Sequence, residues 1–248
     1  MGGALINGLA GEADILAADP NTATLKTLAS KGVAVTNDNK EAASVGNIVV
    51  VAVKPWIVQS VLEDIKTVMD YNRQKIVVIA AGPTIAELNT WLSKDSGALP
   101  ALFLAIPNTA IAVRSSMTFI VEANATVDDT ECIKDLFGHL GEVMIIEESL
   151  LPAATALASC GIAYAMRYVR AATEGGVELG FRADTAKTIV LQTIAGAARL
   201  LQQSGNNPET EIDKVTTAGG ITIKGLNEME HAGFSSAVIR GLKASIKK

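Results

Sequence analysis

The amino-acid sequence predicts an α/β fold in its first part and an all-helical second part. Three observations support this. Short, nearly continuous apolar runs suited to buried parallel strands recur through the first part and alternate with amphipathic segments. Strand-like text nearly vanishes beyond Glu147 and Glu148, where helical text takes over. The opening MGGALINGLAG reads as the first turns of a helix, and the run ADILAAD that follows closes on a carboxylate, Asp19.

Glycines at a helix start and an acidic residue at the end of the next strand are the parts of a dinucleotide-binding βαβ unit. The first part, residues 1–147, is therefore expected to be a Rossmann-like dinucleotide-binding domain. The strand and Gly-x-Gly turn that usually open such a unit would lie before Met1. The expectation is either a start placed too late or an incomplete cofactor site. The helical second part is expected to span residues 148–248.

The 248 residues carry a net charge of −5 with no basic stripe, so nucleic acid is not an expected partner. Cys132 and Cys160 form no disulfide framework and no Cys-x-x-Cys pair, which fits a reducing compartment. No secretory signal pattern opens the chain, so a cytoplasmic location is expected. The uncharged stretch from Ser149 to Met166 approaches membrane-spanning length, but Pro152, Thr155, Ser159 and Gly161 interrupt it. A buried helix pair in a soluble dimer is the preferred reading, without membrane insertion.

The elements follow in order. Helical text from Gly3 to Leu9 leads to a strand at Ile15 to Ala18, a helix ending near Lys31 at Gly32, and a strand beginning at Val33. The run Asn47 to Val53 suits a central strand buried on both faces, and Lys54 and Pro55 end it. Helix Trp56 to Met69, strand KIVVIA from Lys75, the Gly82-Pro83 turn and helix Thr84 to Leu92 come next. ALFLAI from Ala101 feeds PNTA, Pro107 to Ala110, and strands from Met117 and Val143 flank a helix over Asp128 to Leu140. Helices are then expected around 150–158, 163–179, 183–204, 223–231 and 235–246, with a turn at Asn206 to Pro208 and a break at Thr216 to Gly220. Small residues mixed with leucines from Thr188 permit close helix contacts, either with a partner subunit or within the chain.

Asp19, Lys54 and Gly82 fall at strand ends, where open α/β sheets bind ligands. Backbone amides near Met1 and Gly2 would receive a pyrophosphate at the helix start. The Asp19 carboxylate would meet ribose hydroxyls, cap the helix after Pro20, or do both. In the ribose role it would repel a 2′-phosphate and favour NADH over NADPH. Asn108 and Thr109 offer short polar groups after a buried strand, as ligand contacts or as a capped turn. His139 and His231 have no ligand set around them, so no metal site is expected. Ser159 and Cys160 have no histidine base nearby in sequence. In DKVTTAGGITIKGL, Gly219 and Gly220 let backbone amides turn toward a small anion such as a carboxylate, with Thr216, Thr217 and Thr222 as hydroxyl donors; a Thr/Gly-rich helix cap is the alternative.

Taken together, MGGALINGL, VAVKP, AAG, PNTA, EGGVELG and DKVTTAGGITIKGLNEMEHAGF, in this order, closely resemble pyrroline-5-carboxylate reductase across essentially the whole chain. The resemblance implies a C-terminal helical dimerisation and substrate-binding domain and reduction of Δ1-pyrroline-5-carboxylate to L-proline by NADH or NADPH without a metal. It also implies interleaved homodimers, in some cases built into decamers. By the same resemblance, Met1, Ala52, Val53, Lys54 and Pro55 belong to the cofactor site, and Asn108 and Thr109 lie near nicotinamide. Gly219, Gly220, Ile221 and Thr222 form the substrate-carboxylate loop, with Thr222 as the main catalytic candidate. The chain departs from the family pattern at Leu104, where an arginine is common, and at Ala110, where a proline follows PNT. ASCGIAY replaces SGSGPAY, and AGGIT replaces PGGTT. The rival readings are a noncatalytic dimeric scaffold or binding protein and a β-hydroxyacid dehydrogenase. The GIAYAMRYVRA helix offers no lysine for the latter's chemistry.

Overall fold

The computed structural model describes residues 1–246 and divides them into two compact units, 1–159 and 160–246. In chain order the first unit contains α1 (Gly2–Leu9), β1 (Leu16–Ala18), α2 (Thr22–Ala29), β2 (Ala34–Thr36), α3 (Asn39–Val45) and β3 (Ile48–Val51). A 3-10 turn at Pro55–Ile57 leads into α4 (Val58–Ile65), β4 (Lys75–Val78), α5 (Ile85–Leu92) and β5 (Ala101–Ile106). A second 3-10 turn at Thr109–Val113 precedes β6 (Ser116–Ala123), α6 (Val127–Gly138), β7 (Gly141–Ile145) and α7 (Leu151–Ala154).

The strands form a parallel β1-β2 pair and a five-stranded sheet in the order β3-β4-β5-β6-β7. All neighbours in the larger sheet are parallel except β5 and β6. The short connection from Pro107 to Ser115 explains the exception, because a parallel crossover needs a dozen or more residues. Alternation along the central strands builds a three-layered core. Ile76, Val78, Leu102 and Leu104 face one apolar cluster with α4 and α5, while Val77, Ile79, Phe103 and Ala105 face another with α1 and α6. Each strand is thus buried on both faces, which is why its text is continuously apolar.

Helix starts are set by short polar side chains. Asn21 caps α2, accepting from the Ala23 and Thr24 amides, and Asp38 caps α3. Thr84 with Glu87 and Thr126 with Asp129 form reciprocal capping boxes on α5 and α6. The Thr126 backbone amide and hydroxyl, followed by Lys75 at 3.0 Å, hold the Asp129 carboxyl below its usual range. Gln74, 1% exposed, donates to the Ala43 and Gly46 carbonyls and accepts from the Asp70 amide, closing the end of α3 over the start of β4. Burial and a 2.6 Å bond to the Leu92 carbonyl accompany Tyr71, whose phenol is pushed up to about 12 by desolvation.

Gly141 begins β7 opposite Ser116 of β6, with φ +137°. A Cβ there would stand 2.1 Å from the Ser116 carbonyl oxygen and 2.4 Å from its nitrogen, so only glycine lets the two strands meet.

The division between units falls at Ser159/Cys160 by packing, later in the chain than the expected boundary at 147/148. Ile146 and Leu151 pack on the first core, and the Glu148 carboxylate accepts from the Ile85 amide at 2.7 Å. These contacts keep the start of the expected second domain in the first unit. From α7 the helical path continues through a π segment, Thr155–Cys160, into α8 (Gly161–Glu178).

The second unit continues with α9 (Ala183–Ser204), α10 (Pro208–Lys214), α11 (Ile221–His231) and α12 (Phe234–Ala244). The expected turn at Asn206 to Pro208 is the start of α10: Asn207 caps it and Pro208 is its first residue. The Tyr164 hydroxyl ties α8 to Ser245 and to the Gly241 carbonyl beyond and within α12. Among the described residues of this unit, Ala186 is the only hydrophobic residue buried as deeply as a core residue, against Gly176 of α8. Met166, Leu191, Leu200, Val238 and Ile239 are exposed. The helical stretch Glu148–Glu178 is also long and apolar enough to cross a membrane, and only 6% of its most apolar window is buried within the chain.

Candidate functional site

The C-terminal ends of β3, β4 and β5 share one edge of the larger sheet, and the start of α1 lies against the chain leaving β3. Met1 is the N-cap residue of α1 and makes no side-chain cap, so the first amides of this helix retain their hydrogen-bonding capacity. A Cβ on Gly2 would lie 3.4 Å from Ala52 Cβ, which places the helix start directly on the chain leaving β3. Ala52, the first residue past β3, therefore adjoins Gly2. Gly82, just past β4, adopts φ +129° with its Cβ position 3.8 Å from Pro55. Trp56 follows Pro55 and is 77% exposed, with the Lys54 ammonium 5.9 Å from its ring centre.

Asp19 stands just beyond β1. It does not cap α2: that role falls to Asn21, because Pro20 holds the chain one step outside the helix. Asp19 instead accepts from the Asn21 amide at 2.7 Å, which fixes its carboxylate at the strand end and leaves its second oxygen available.

Past β5, Asn108 is 6% exposed and caps the 3-10 turn by accepting from the Ala110 amide at 3.0 Å. The capped-turn reading of PNTA is therefore what the backbone does. The Asn108 Nδ2 group has no protein acceptor among the described residues, and Thr109 is exposed beside it. The turn is coupled to α1 because a Cβ on Gly8 would stand 3.1 Å from the Ile111 carbonyl and against Leu140.

In the second unit, Gly219 has φ +72° and Gly220 is the N-cap residue of α11, with no side chain capping it. The helix-cap half of the sequence reading is what the backbone does; the amides at Ile221 and Thr222 have no side-chain partner, and Thr222 is exposed. Gly220 is needed for the geometry, since its Cβ would meet Thr217 Oγ1 at 2.6 Å and the Thr217 carbonyl at 3.0 Å.

Sequence reasoning missed three features of these surroundings. Ser116 and Thr118 line up under the Asn108 turn; the expected strand began only at Met117, although two hydroxyls spaced by two in an apolar run were a visible signal. The π segment Thr155–Cys160 runs across the expected end of the 150–158 helix, and the Ser159 hydroxyl is buried there without a partner among the described residues. Glu148 reaches α5 across a sequence separation that local text does not reveal.

Comparisons with known proteins agree along the length of the chain. A family described as pyrroline-5-carboxylate reductase dimerisation matches residues 148–248, and one described as NADP oxidoreductase, coenzyme F420-dependent, matches residues 1–83. Pyrroline-5-carboxylate reductase 2 of Dictyostelium discoideum is 37% identical over 88% of this chain and 76% of its own length. Pyrroline-5-carboxylate reductase 1 of the same organism is 40% identical, but the chain spans only 43% of its length. Among solved structures, the Plasmodium falciparum pyrroline carboxylate reductase with NADP bound superposes with a TM-score of 0.86 at 27% identity, covering 99% of this chain and 92% of the other. Local geometry, both halves of the fold and these relatives converge: the chain belongs to the pyrroline-5-carboxylate reductase family.

Proposed function

We propose that this protein reduces Δ1-pyrroline-5-carboxylate to L-proline with NAD(P)H. The observation that carries the reading is the start of α11, a helix of 11 residues opened by Gly219 and Gly220 and left without a side-chain cap. Its amides, the Thr222 hydroxyl and the positive end of the helix dipole suit a substrate carboxylate. In the first unit, the free start of α1, the close Gly2–Ala52 approach and the Asp19 carboxylate are chemically suited to the pyrophosphate and ribose of a dinucleotide.

A bound reduced nicotinamide supplies the hydride. The chain's own tasks are alignment and charge management. Asp19 would accept from ribose hydroxyls, Ala52 to Pro55 would line the cofactor, and the Asn108 Nδ2 and Thr109 hydroxyl would orient the nicotinamide end. Ile221 and Thr222 would hold the ring carboxylate, and protonation of the imine nitrogen raises its strength as a hydride acceptor. Asp19 favours NADH, because a 2′-phosphate would place like charge beside it. Two free thiols, Cys132 and Cys160, fit a reducing cytoplasmic setting.

Parallel assays of NADH and NADPH oxidation, with proline measured chromatographically, test both parts. Proline is expected with a lower KM for NADH, and Asp19→Ser is expected to narrow that preference by roughly tenfold, about 1.4 kcal/mol. Folded protein that makes no proline with either cofactor would refute the reductase reading.

The exposed apolar side chains of α8, α9 and α12 call for a second copy, as the matched dimerisation family suggests. Light scattering on the detergent-free protein is expected to give twice the 25.8 kDa chain mass or a multiple of it, up to a decamer of five dimers. A monodisperse monomer, or protein recovered only with membranes, would contradict this assembly.

A further inference from the structure

The hydroxyls of Ser116 and Thr118 have no direct place in the chemistry above, yet they are among the most buried polar groups in the first unit, at 3% and 0% exposure. Two residues apart on β6, they share one face of the strand. Their oxygens are 3.1 Å apart, and Ser116 Oγ also accepts from the Asn108 amide at 3.2 Å.

The need for that bond comes from the ladder. The β5–β6 pairing runs to Ile106 opposite Phe119, and the chain then leaves it at Pro107. The next amide, that of Asn108, is buried without a strand partner, and such a donor is costly to leave unpaired. Ser116 supplies the acceptor. Its own proton can go to Thr118 Oγ1, so the pair forms a short relay of hydrogen bonds ending on the backbone of the turn. Ile120 and Phe119 continue the same strand as plain apolar residues, so packing alone does not require hydroxyls here.

We propose that Ser116 and Thr118 are positioning residues for hydride transfer: they fix the Asn108 backbone and thereby the placement of Asn108 Nδ2 and Thr109 toward the nicotinamide end of the site. This rests on the reductase reading. Gly141 completes the device, because its missing side chain lets Ser116 sit at that depth. The Gly8–Ile111 approach passes the same constraint to α1, so the two ends of the dinucleotide edge are set by one packed block.

The test compares wild type, Ser116→Ala, Thr118→Val and Thr118→Ser. Ser116→Ala is expected to lower kcat roughly tenfold while the KM for NADH stays within about twofold, because a misplaced reacting group costs the chemical step more than binding. The primary isotope effect with 4-deuterated NADH is expected to rise in Ser116→Ala. Thr118→Val, nearly isosteric but without the hydroxyl, is expected to show a smaller loss that Thr118→Ser restores. Wild-type kcat and isotope effect in folded Ser116→Ala, even with a lower Tm, would overturn the proposal and leave a structural role. The reductase reading is judged separately, by whether wild type makes proline. Amide exchange at Asn108 without substrate reads the hydrogen bond in either case: faster exchange in Ser116→Ala is expected, and an unchanged rate would overturn the proposal.

Discussion

Gly141→Ala is expected to be the most destabilising single-methyl addition in the first unit. Two independent costs coincide at this position. The backbone has φ +137°, a region side-chain-bearing residues rarely enter, and the added Cβ would overlap the Ser116 backbone at 2.1 to 2.9 Å. No flexible side chain can move aside, because the obstruction is the backbone of a paired strand. The loss should be on the order of 4 kcal/mol, or a fall in Tm of roughly 8–16 °C for a protein of this size. Gly205→Ala provides the contrast: φ is also positive at +62°, but no atom lies within 4 Å of its Cβ position, so only about 1 kcal/mol is expected. Scanning calorimetry of the two variants decides the matter; similar Tm values would mean that β6 and β7 do not meet as closely as described.

Gly220→Ala is expected to have the largest effect on catalytic efficiency for a small effect on stability. The methyl would press on Thr217 at 2.6 and 3.0 Å and shift the first turn of α11, whose free amides are proposed to hold the substrate carboxylate. kcat/KM for pyrroline-5-carboxylate should fall by roughly a hundredfold, mostly through KM, since fixation of the ring is lost in the ground state as well as the transition state. Thr222→Val removes one hydroxyl donor from the same site without disturbing the backbone, and should cost about tenfold. In both variants the KM for NADH should stay near that of wild type. Equal losses for cofactor and substrate would show that the loop acts on the fold as a whole rather than on the carboxylate.

The layered core was legible because strands buried on both faces leave long apolar runs, as in KIVV and ALFLAI. By contrast, α3 and α10 carry polar text, NKEAASV and PETEIDK, and were not read as helices. Their caps, Asp38 and Asn207, were the available signals, but a single polar residue before a short polar segment resembles any turn. The positions of Asp19, Ala52 to Pro55 and Asn108 just past β1, β3 and β5 were legible because strand ends are easy to place. What holds them was not: Gln74 reaches back to Ala43 and Gly46, Glu148 reaches Ile85, and Ser116 meets Asn108 only after the chain reverses. Such partners are chosen by tertiary proximity, which sequence spacing does not encode.

The placement of Trp56 has a practical optical consequence. Trp91, the other indole of the chain, packs against the core, whereas Trp56 is 77% exposed beside Lys54. The chain therefore carries two spectrally separable reporters: a shielded one that follows unfolding, and a solvated one, open to collisional quenchers, at the edge proposed for the cofactor. Reduced nicotinamide absorbs where indole emits, so occupancy of that edge should drain light preferentially from the solvated indole. A Trp56→Phe chain then supplies the blank, turning cofactor titration into a measurement that needs neither substrate nor turnover.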